Sequence, residues 1–125
     1  NKLKSIPKNI NILSFLSQED LLIYLNKSEF YIQLSISEGF PNALCEAMLC
    51  GCIPIGSKVG AIPNIIDTTG FLMESSNNNY IKKEFKSIVA LNNSKRKELA
   101  QSSRQRVENE FHIEKRQNKF LDLIK

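Results

Sequence analysis

Between residues 9 and 75 the chain changes period repeatedly. A short run suited to a strand alternates with one suited to a helix, and Gly, Pro, Asn or Ser stands near the boundaries. Asn9 to Leu16 alternates early and is rich in isoleucine, which predicts a strand. Ser17 is a predicted N-cap for a helix over Gln18 to Lys27, whose Leu21, Leu22 and Leu25 form one stripe. Glu29 to Ser35 predicts a second strand. The cluster Gly39-Phe40-Pro41-Asn42 then breaks the chain before a short helix over Ala43 to Cys50, closed by Gly51 as its C′ glycine. Cys52 to Gly56 predicts a strand that Pro54 weakens, Ile62 to Asp67 a helical turn, and Gly70 to Met73 a last strand. Strand and helix in strict alternation build a parallel α/β sheet with right-handed crossovers.

After Ser75 the pattern is helical throughout. Asn77 to Asn79 predict a loop. A helix follows with Ile81, Phe85, Ile88 and Val89 on its apolar face. Residues 94 to 111 predict a long polar helix with a thin stripe at Leu99, Ser103 and Val107, and 112 to 124 a closing segment with Phe120, Leu121 and Ile124 inward. The chain thus divides into an α/β portion (1–75) and a helical C-terminal tail (76–125), flanking helices around a Rossmann-like parallel sheet.

Composition narrows the class. With 125 residues, 42% hydrophobic and 24% charged, the chain is a soluble globular domain rather than a disordered or disulfide-stapled one. No apolar run nears the roughly 20 residues of a membrane span, and residues 1–10 lack the apolar block of a secretory signal. The net charge of +4 hides a division: residues 1–81 hold five Lys/Arg against seven acids, residues 82–125 twelve against six. The basic tail reads first as a solvated helix face, with peripheral contact to a membrane surface as the alternative; nucleic acid is not an expected partner. Cys45, Cys50 and Cys52 lack the spacing of a zinc site and the single histidine, His112, is distant. They are expected to be reduced, buried thiols, with no bound metal.

The segment Ser35 to Met48 carries the chemistry. It places Glu38 in a glycine-bearing loop and Glu46 about one turn into the next helix. Gly39 permits close approach of a ligand or a positive φ. The helix start offers N–H groups and the positive dipole end to a phosphate. Two carboxylates cannot favour a diphosphate by charge, but they can accept hydrogen bonds from sugar hydroxyls on either side of it. A fully helical segment would rise about 12 Å between them at roughly 1.5 Å per residue, against the roughly 5–9.5 Å of glycosidase pairs. A nucleotide sugar fits better. The plain alternative is that Glu38 caps the helix and Glu46 is a surface residue.

Glu38, seven residues, then Glu46 is followed by Ala47-Met48-Leu49-Cys50-Gly51-Cys52-Ile53-Pro54-Ile55, then Val59-Gly60-Ala61-Ile62-Pro63-Asn64-Ile65-Ile66 and Gly70-Phe71-Leu72. Over about residues 6–75 this resembles the group 1 glycosyltransferases (glycosyltransferase family 4) of GT-B fold, whose pattern is E-G-F-x5-E-A-M-x2-G-x-P-V, then G-G-x-P-E-I-I and G-x-L. The upstream Phe15-Leu16-Ser17 is similar to that family's F-L-G. The resemblance implies retaining transfer from a UDP- or GDP-sugar without a metal or other cofactor. It implies Glu38 as the catalytic residue that orients the donor sugar, Gly39, Phe40, Asn42 and Ala43 facing sugar and diphosphate, Leu44 near the nucleoside, and Glu46 on the ribose hydroxyls.

Departures from the pattern are Pro41 where many members have glycine, two residues instead of one between Gly51 and Pro54, Ala61 for the second glycine, and Asn64 for glutamate. Nothing matches the family's diphosphate-binding Arg and Lys, its first two strands or its acceptor-binding N-terminal domain. The chain is therefore expected to be a truncated C-terminal half of a GT-B enzyme, inactive alone. Strand 10–16 is expected to pair beside strand 29–35 or with a second copy as a homodimer. The parent is expected to be a bacterial, cytoplasmic enzyme of polysaccharide biosynthesis working at the inner membrane face on a glycan or lipid-linked acceptor. A non-catalytic nucleotide- or sugar-binding module, or a GT-B sugar-nucleotide epimerase fragment, are the alternatives.

Overall fold

The structure is a computed structural model that describes residues 5–111. The closing segment predicted over 112–124, with His112, lies outside the described residues. Elements follow in the order α1 (Gln18–Lys27), β1 (Phe30–Gln33), α2 (Asn42–Leu49), β2 (Ile53–Ser57), α3 (Ile62–Ile66), β3 (Phe71–Met73), α4 (Asn78–Val89) and α5 (Asn93–Glu110).

The three strands form one parallel sheet in the order β1-β2-β3. Phe30–Gln33 register against Ile53–Gly56, and Ile55–Ser57 against Phe71–Met73. β2 is the central strand and residues 53–56 are all buried, the continuous burial expected of a parallel strand covered on both faces. Pro54 cannot donate to the ladder, yet β2 continues through it with partners on either side.

Helix ends follow local chemistry. The Ser17 hydroxyl accepts the Asp20 N–H at 3.2 Å and starts α1. α2 stops at Cys50 because Gly51 adopts φ +83°, a left-handed conformation that a side chain would strain. The thin stripe of α5 is its buried face: Leu99, Ser103 and Val107 all lie inside. Ser103 donates to the Cys52 carbonyl at 3.1 Å and so ties α5 to the start of β2. The main core joins Leu44, Cys45 and Met48 of α2, Ile62, Ile65 and Ile66 of α3, and Val107 and Phe111. Each such side chain contributes about 1.5–3 kcal/mol by leaving water. A second cluster, Leu25, Ala47 and Cys52, anchors α1, and a third, Ile55, Met73 and Ile88, anchors α4.

Several expectations are corrected. Asn9–Leu16 is not a strand and does not pair beside β1. Its Ile10, Ile12, Leu13 and Phe15 are exposed. Alternation marks a segment as able to pair, but its backbone groups still need a neighbouring ladder, which this segment lacks among the described residues. Asn77 is a cap rather than part of a longer loop, because its side chain accepts from the N–H groups of Asn79 and Tyr80. Leu22 and Val89 face solvent rather than the core. Cys45 and Cys52 are buried free thiols as expected, whereas Cys50 is half-buried at the end of α2.

Candidate functional site

β1 ends at Gln33, and residues 34–41 pass over the carboxyl end of the sheet before α2 begins, the usual ligand position in open α/β sheets. Successive residues here point to opposite sides. Tyr31, Gln33 and Ser35 form a half-buried row, while Ile32, Leu34 and Ile36 are exposed. The polar row leads to Glu38. Gln33 donates through Nε2 to Glu38 Oε2 at 3.0 Å, and the Ser35 hydroxyl donates to the same oxygen at 2.9 Å. Among the described residues nothing donates to Glu38 Oε1. Glu38 does not cap α2: Pro41 occupies the N-cap position, no side chain caps this end, and no acid stands in the first turn.

Glu46 lies on α2 with its Oε1 accepting from Gln18 Nε2 of α1 at 3.1 Å. It is half-buried rather than a free surface residue. The two carboxylates share a neighbour in Tyr31. Burial first, then the negative charges of Glu38 and Glu46, hold the Tyr31 phenol above its ordinary pKa, with Cys52 adding to this only where its thiol is ionised. Burial, then Glu46, likewise raises the Cys50 thiol against a smaller opposing pull from Arg104.

The loop is braced from two sides. Gly60, just past β2, has φ +53°, and a Cβ there would lie 1.9 Å from the Glu38 carbonyl oxygen. Only glycine lets the β2–α3 turn come this close. Ser57 donates to the Ser35 carbonyl at 2.6 Å, and Ala61 N–H to the Gly39 carbonyl at 3.4 Å. On the other side the Phe40 ring tilts against Phe111, centroids 6.1 Å apart. The Arg106 guanidinium lies over Phe111 at 5.5 Å, donates to the Ile65 and Asn64 carbonyls at 3.0 and 2.6 Å, and pairs with Asp67 at 3.8 Å.

The remaining predicted site residues divide. Asn42 and Ala43 are exposed at the start of α2. Gly39 is also exposed; it does not adopt the positive φ its type allows, and the space a Cβ would enter is open to 4 Å. The Leu44 side chain is wholly buried in the main core, so residue 44 can meet a nucleoside only through its backbone. Gln33, Gln18, Ser57, Arg106 and Phe111 were not among the predicted site residues. A glutamine within the otherwise apolar run of β1 was the one available signal. Lys58, past β2, is tied to Glu74, past β3, at 2.6 Å; this hydrogen bond and charge hold the Glu74 carboxyl below its ordinary value. No group of three or more potential metal-ligating side chains occurs among the described residues. No helix among them is long and apolar enough to cross a membrane.

A parallel α/β domain with a loop over its strand ends has the ligand position of an open α/β sheet, and comparison with known proteins gives its family. Residues 2–106 match the family Glycosyl transferases group 1, and the chain belongs to that family. It is 39% identical over 75 residues to the N-acetyl-alpha-D-glucosaminyl L-malate synthase of Bacillus anthracis, covering 55% of this chain and 20% of that protein. It is 33% identical over 99 residues to a trehalose synthase of Pyrococcus horikoshii, covering 78% and 23%. A serotype-specific mannosyltransferase of Escherichia coli, WbdA, is 35% identical over 52 residues, 42% of this chain and 6% of that protein. Among solved structures, sucrose-phosphate synthase from Thermosynechococcus elongatus superposes with a TM-score of 0.77 at 24% identity, over 90% of this chain and 28% of that one. That likeness gives the GT-B fold. The chain spans between 6% and 28% of the length of these relatives.

Proposed function

We propose that this chain is the donor-binding part of a larger retaining glycosyltransferase, which transfers a sugar from a nucleoside diphosphate sugar to a glycan, polysaccharide or lipid-linked acceptor. The observation that carries the reading is Glu38. Its carboxylate is held through one oxygen by Gln33 and Ser35, while its other oxygen has no donor among the described residues. It stands beside a helix start with no side-chain cap. Glu38 orients the donor sugar at the reacting carbon, and Glu46 accepts the ribose hydroxyls. The N-terminus of α2, through the backbone around Gly39, Phe40, Asn42 and Ala43, meets sugar and diphosphate. Leu44 completes the nucleoside side through its backbone.

Departure of the nucleoside diphosphate develops negative charge that must be stabilised for the sugar–oxygen bond to break. The α2 dipole supplies part of this. Among the described residues Lys58, just past β2, is already paired with Glu74; the main cations are assigned to another part of the transferase, as is the acceptor site. No metal or cofactor is needed in this scheme, and the enzyme works in the cytoplasm at the membrane face. The 125 residues alone are inactive. Their small share of each relative's length also supports a second reading, a nucleotide-binding module without turnover.

The test is release of free nucleotide from a panel of UDP- and GDP-sugars by the complete protein that carries this chain. Glu38→Gln is expected to reduce turnover by at least about a hundredfold, the scale on which misplacing a reacting group acts. Wild-type turnover in that variant would remove Glu38 from the chemistry. Binding without turnover in the wild type would favour the module.

A further inference from the structure

We propose that Gln33 is a positioning residue: it occupies one oxygen of Glu38 so that the other is left to the donor sugar. The inference rests on the role given to Glu38 above. Its basis is the direction of the hydrogen bonds. An ionised carboxylate only accepts, so Gln33 must turn its NH2 toward Glu38. The amide oxygen then faces the other way, where it accepts from the Tyr31 hydroxyl at 2.9 Å. Donation therefore runs one way, from Tyr31 to Gln33 to Glu38: the carboxylate fixes which way the amide faces, and the Tyr31 hydroxyl, able to donate or accept, follows by donating.

Two donors on a single oxygen make the carboxylate directional. Gln33 Nε2 at 3.0 Å and Ser35 Oγ at 2.9 Å both meet Oε2. A rotation that exchanged the two oxygens would break and remake both bonds at once. The position of this row supports a task beyond packing. On β2, the neighbouring strand, the residues in register with Tyr31 and Gln33 are the buried Pro54 and Gly56, neither of which carries a polar side chain. On β1 the half-buried row is Tyr31, Gln33 and Ser35, while Ile32 at 51%, Leu34 and Ile36 face solvent. A half-buried glutamine is costly unless its amide is satisfied at both ends, and here both ends are satisfied within the chain leading to Glu38.

The test compares Gln33→Leu, Gln33→Glu, Gln33→His and Ser35→Ala with Glu38→Gln in the complete protein. Donor turnover, the dissociation constant of the free nucleoside diphosphate, and thermal melting are measured for each. Gln33→Leu is expected to lower kcat/KM for the sugar donor roughly ten- to hundredfold, as for loss of one hydrogen bond to a charged group. The fall lies mainly in kcat, and nucleoside diphosphate affinity stays within about twofold. Gln33→Glu, similar in volume but facing one carboxylate with another, falls further. Gln33→His can donate to Glu38 and recovers part of the loss. Ser35→Ala gives a smaller loss of the same kind, which keeps the test available should a residue-33 variant fail to fold.

Full turnover in Gln33→Leu would overturn the inference. So would a parallel loss of nucleoside diphosphate affinity and melting temperature, since that is how a purely structural residue behaves. Full turnover in Glu38→Gln would instead remove the parent reading, and the inference with it.

Discussion

Leu44 to Ile66 and Ile10 to Ile36 are similarly rich in large aliphatic residues and have opposite fates. In the first, Leu44, Met48, Ile62, Ile65 and Ile66 are all 0% exposed. In the second, Phe15 is 99% and Ile36 95% exposed, and Ile10, Ile12 and Ile32 are more than half exposed. The difference is cover. The first region has helix, strand and helix packed against α5, whose stripe closes the main core. In the second, only Leu25 of α1 is buried, and β1 is an edge of the described sheet. Periodicity decides which face is apolar; neighbours decide whether it leaves water. The glutamate loop lies on the seam between the two, resting on the β2–α3 turn through Gly60 and hanging from β1 through Gln33 and Ser35.

The widest contrast comes from matched truncations. Ile62→Ala is expected to cost about 2–5 kcal/mol, a buried aliphatic deletion with its cavity, whereas Ile12→Ala stays within about 0.5 kcal/mol. Urea midpoints of the two variants measure this. Equal losses would mean that the open segment is packed in solution. At the seam itself, Gly60→Val forces a side chain into φ +53° and against the Glu38 carbonyl. A loss of roughly 2–3 kcal/mol is expected from the strained backbone and the clash, read by the same denaturation. A neutral effect would separate the glutamate loop from the packed region.

A smaller effect tests how α1 is attached. The Cys52 thiol donates to the Leu25 carbonyl at 3.2 Å and the Ser28 carbonyl at 3.5 Å. Burial, then the nearby Cys50, pushes Cys52 from its ordinary 9.0 up to about 11. Because the folded state holds the proton more tightly, this stabilisation is complete below pH 9 and is lost as the pH rises through 11. Wild type should therefore lose more stability between pH 8.5 and 11 than Cys52→Ala, in which other alkaline titrations remain. Identical slopes would contradict the buried thiol.

Much of this was legible beforehand. Ser17, Gly51 and the stripe Leu99, Ser103, Val107 act where local rules put them, since caps and helical periods depend on near neighbours along the chain. Glu38 and Glu46 stood out through their spacing. Asn9–Leu16 misled because alternation is local but a ladder is not. The braces of the site were hidden for the same reason: Phe111 meets Phe40, and Arg106 meets Ile65, only once α5 packs on α3. Gln33 was visible in an apolar strand, but its partner could be named only from the direction of the loop.

The central claim, that the two glutamates hold different halves of one ligand, is tested most directly by calorimetry on the complete protein with a nucleoside diphosphate and its sugar conjugate. Glu46→Ala is expected to weaken both ligands alike, about tenfold or more for hydrogen bonds to a charged group. Glu38→Ala is expected to weaken only the sugar conjugate. Unchanged nucleoside diphosphate affinity in Glu46→Ala, or equal weakening of both ligands in Glu38→Ala, would contradict the account.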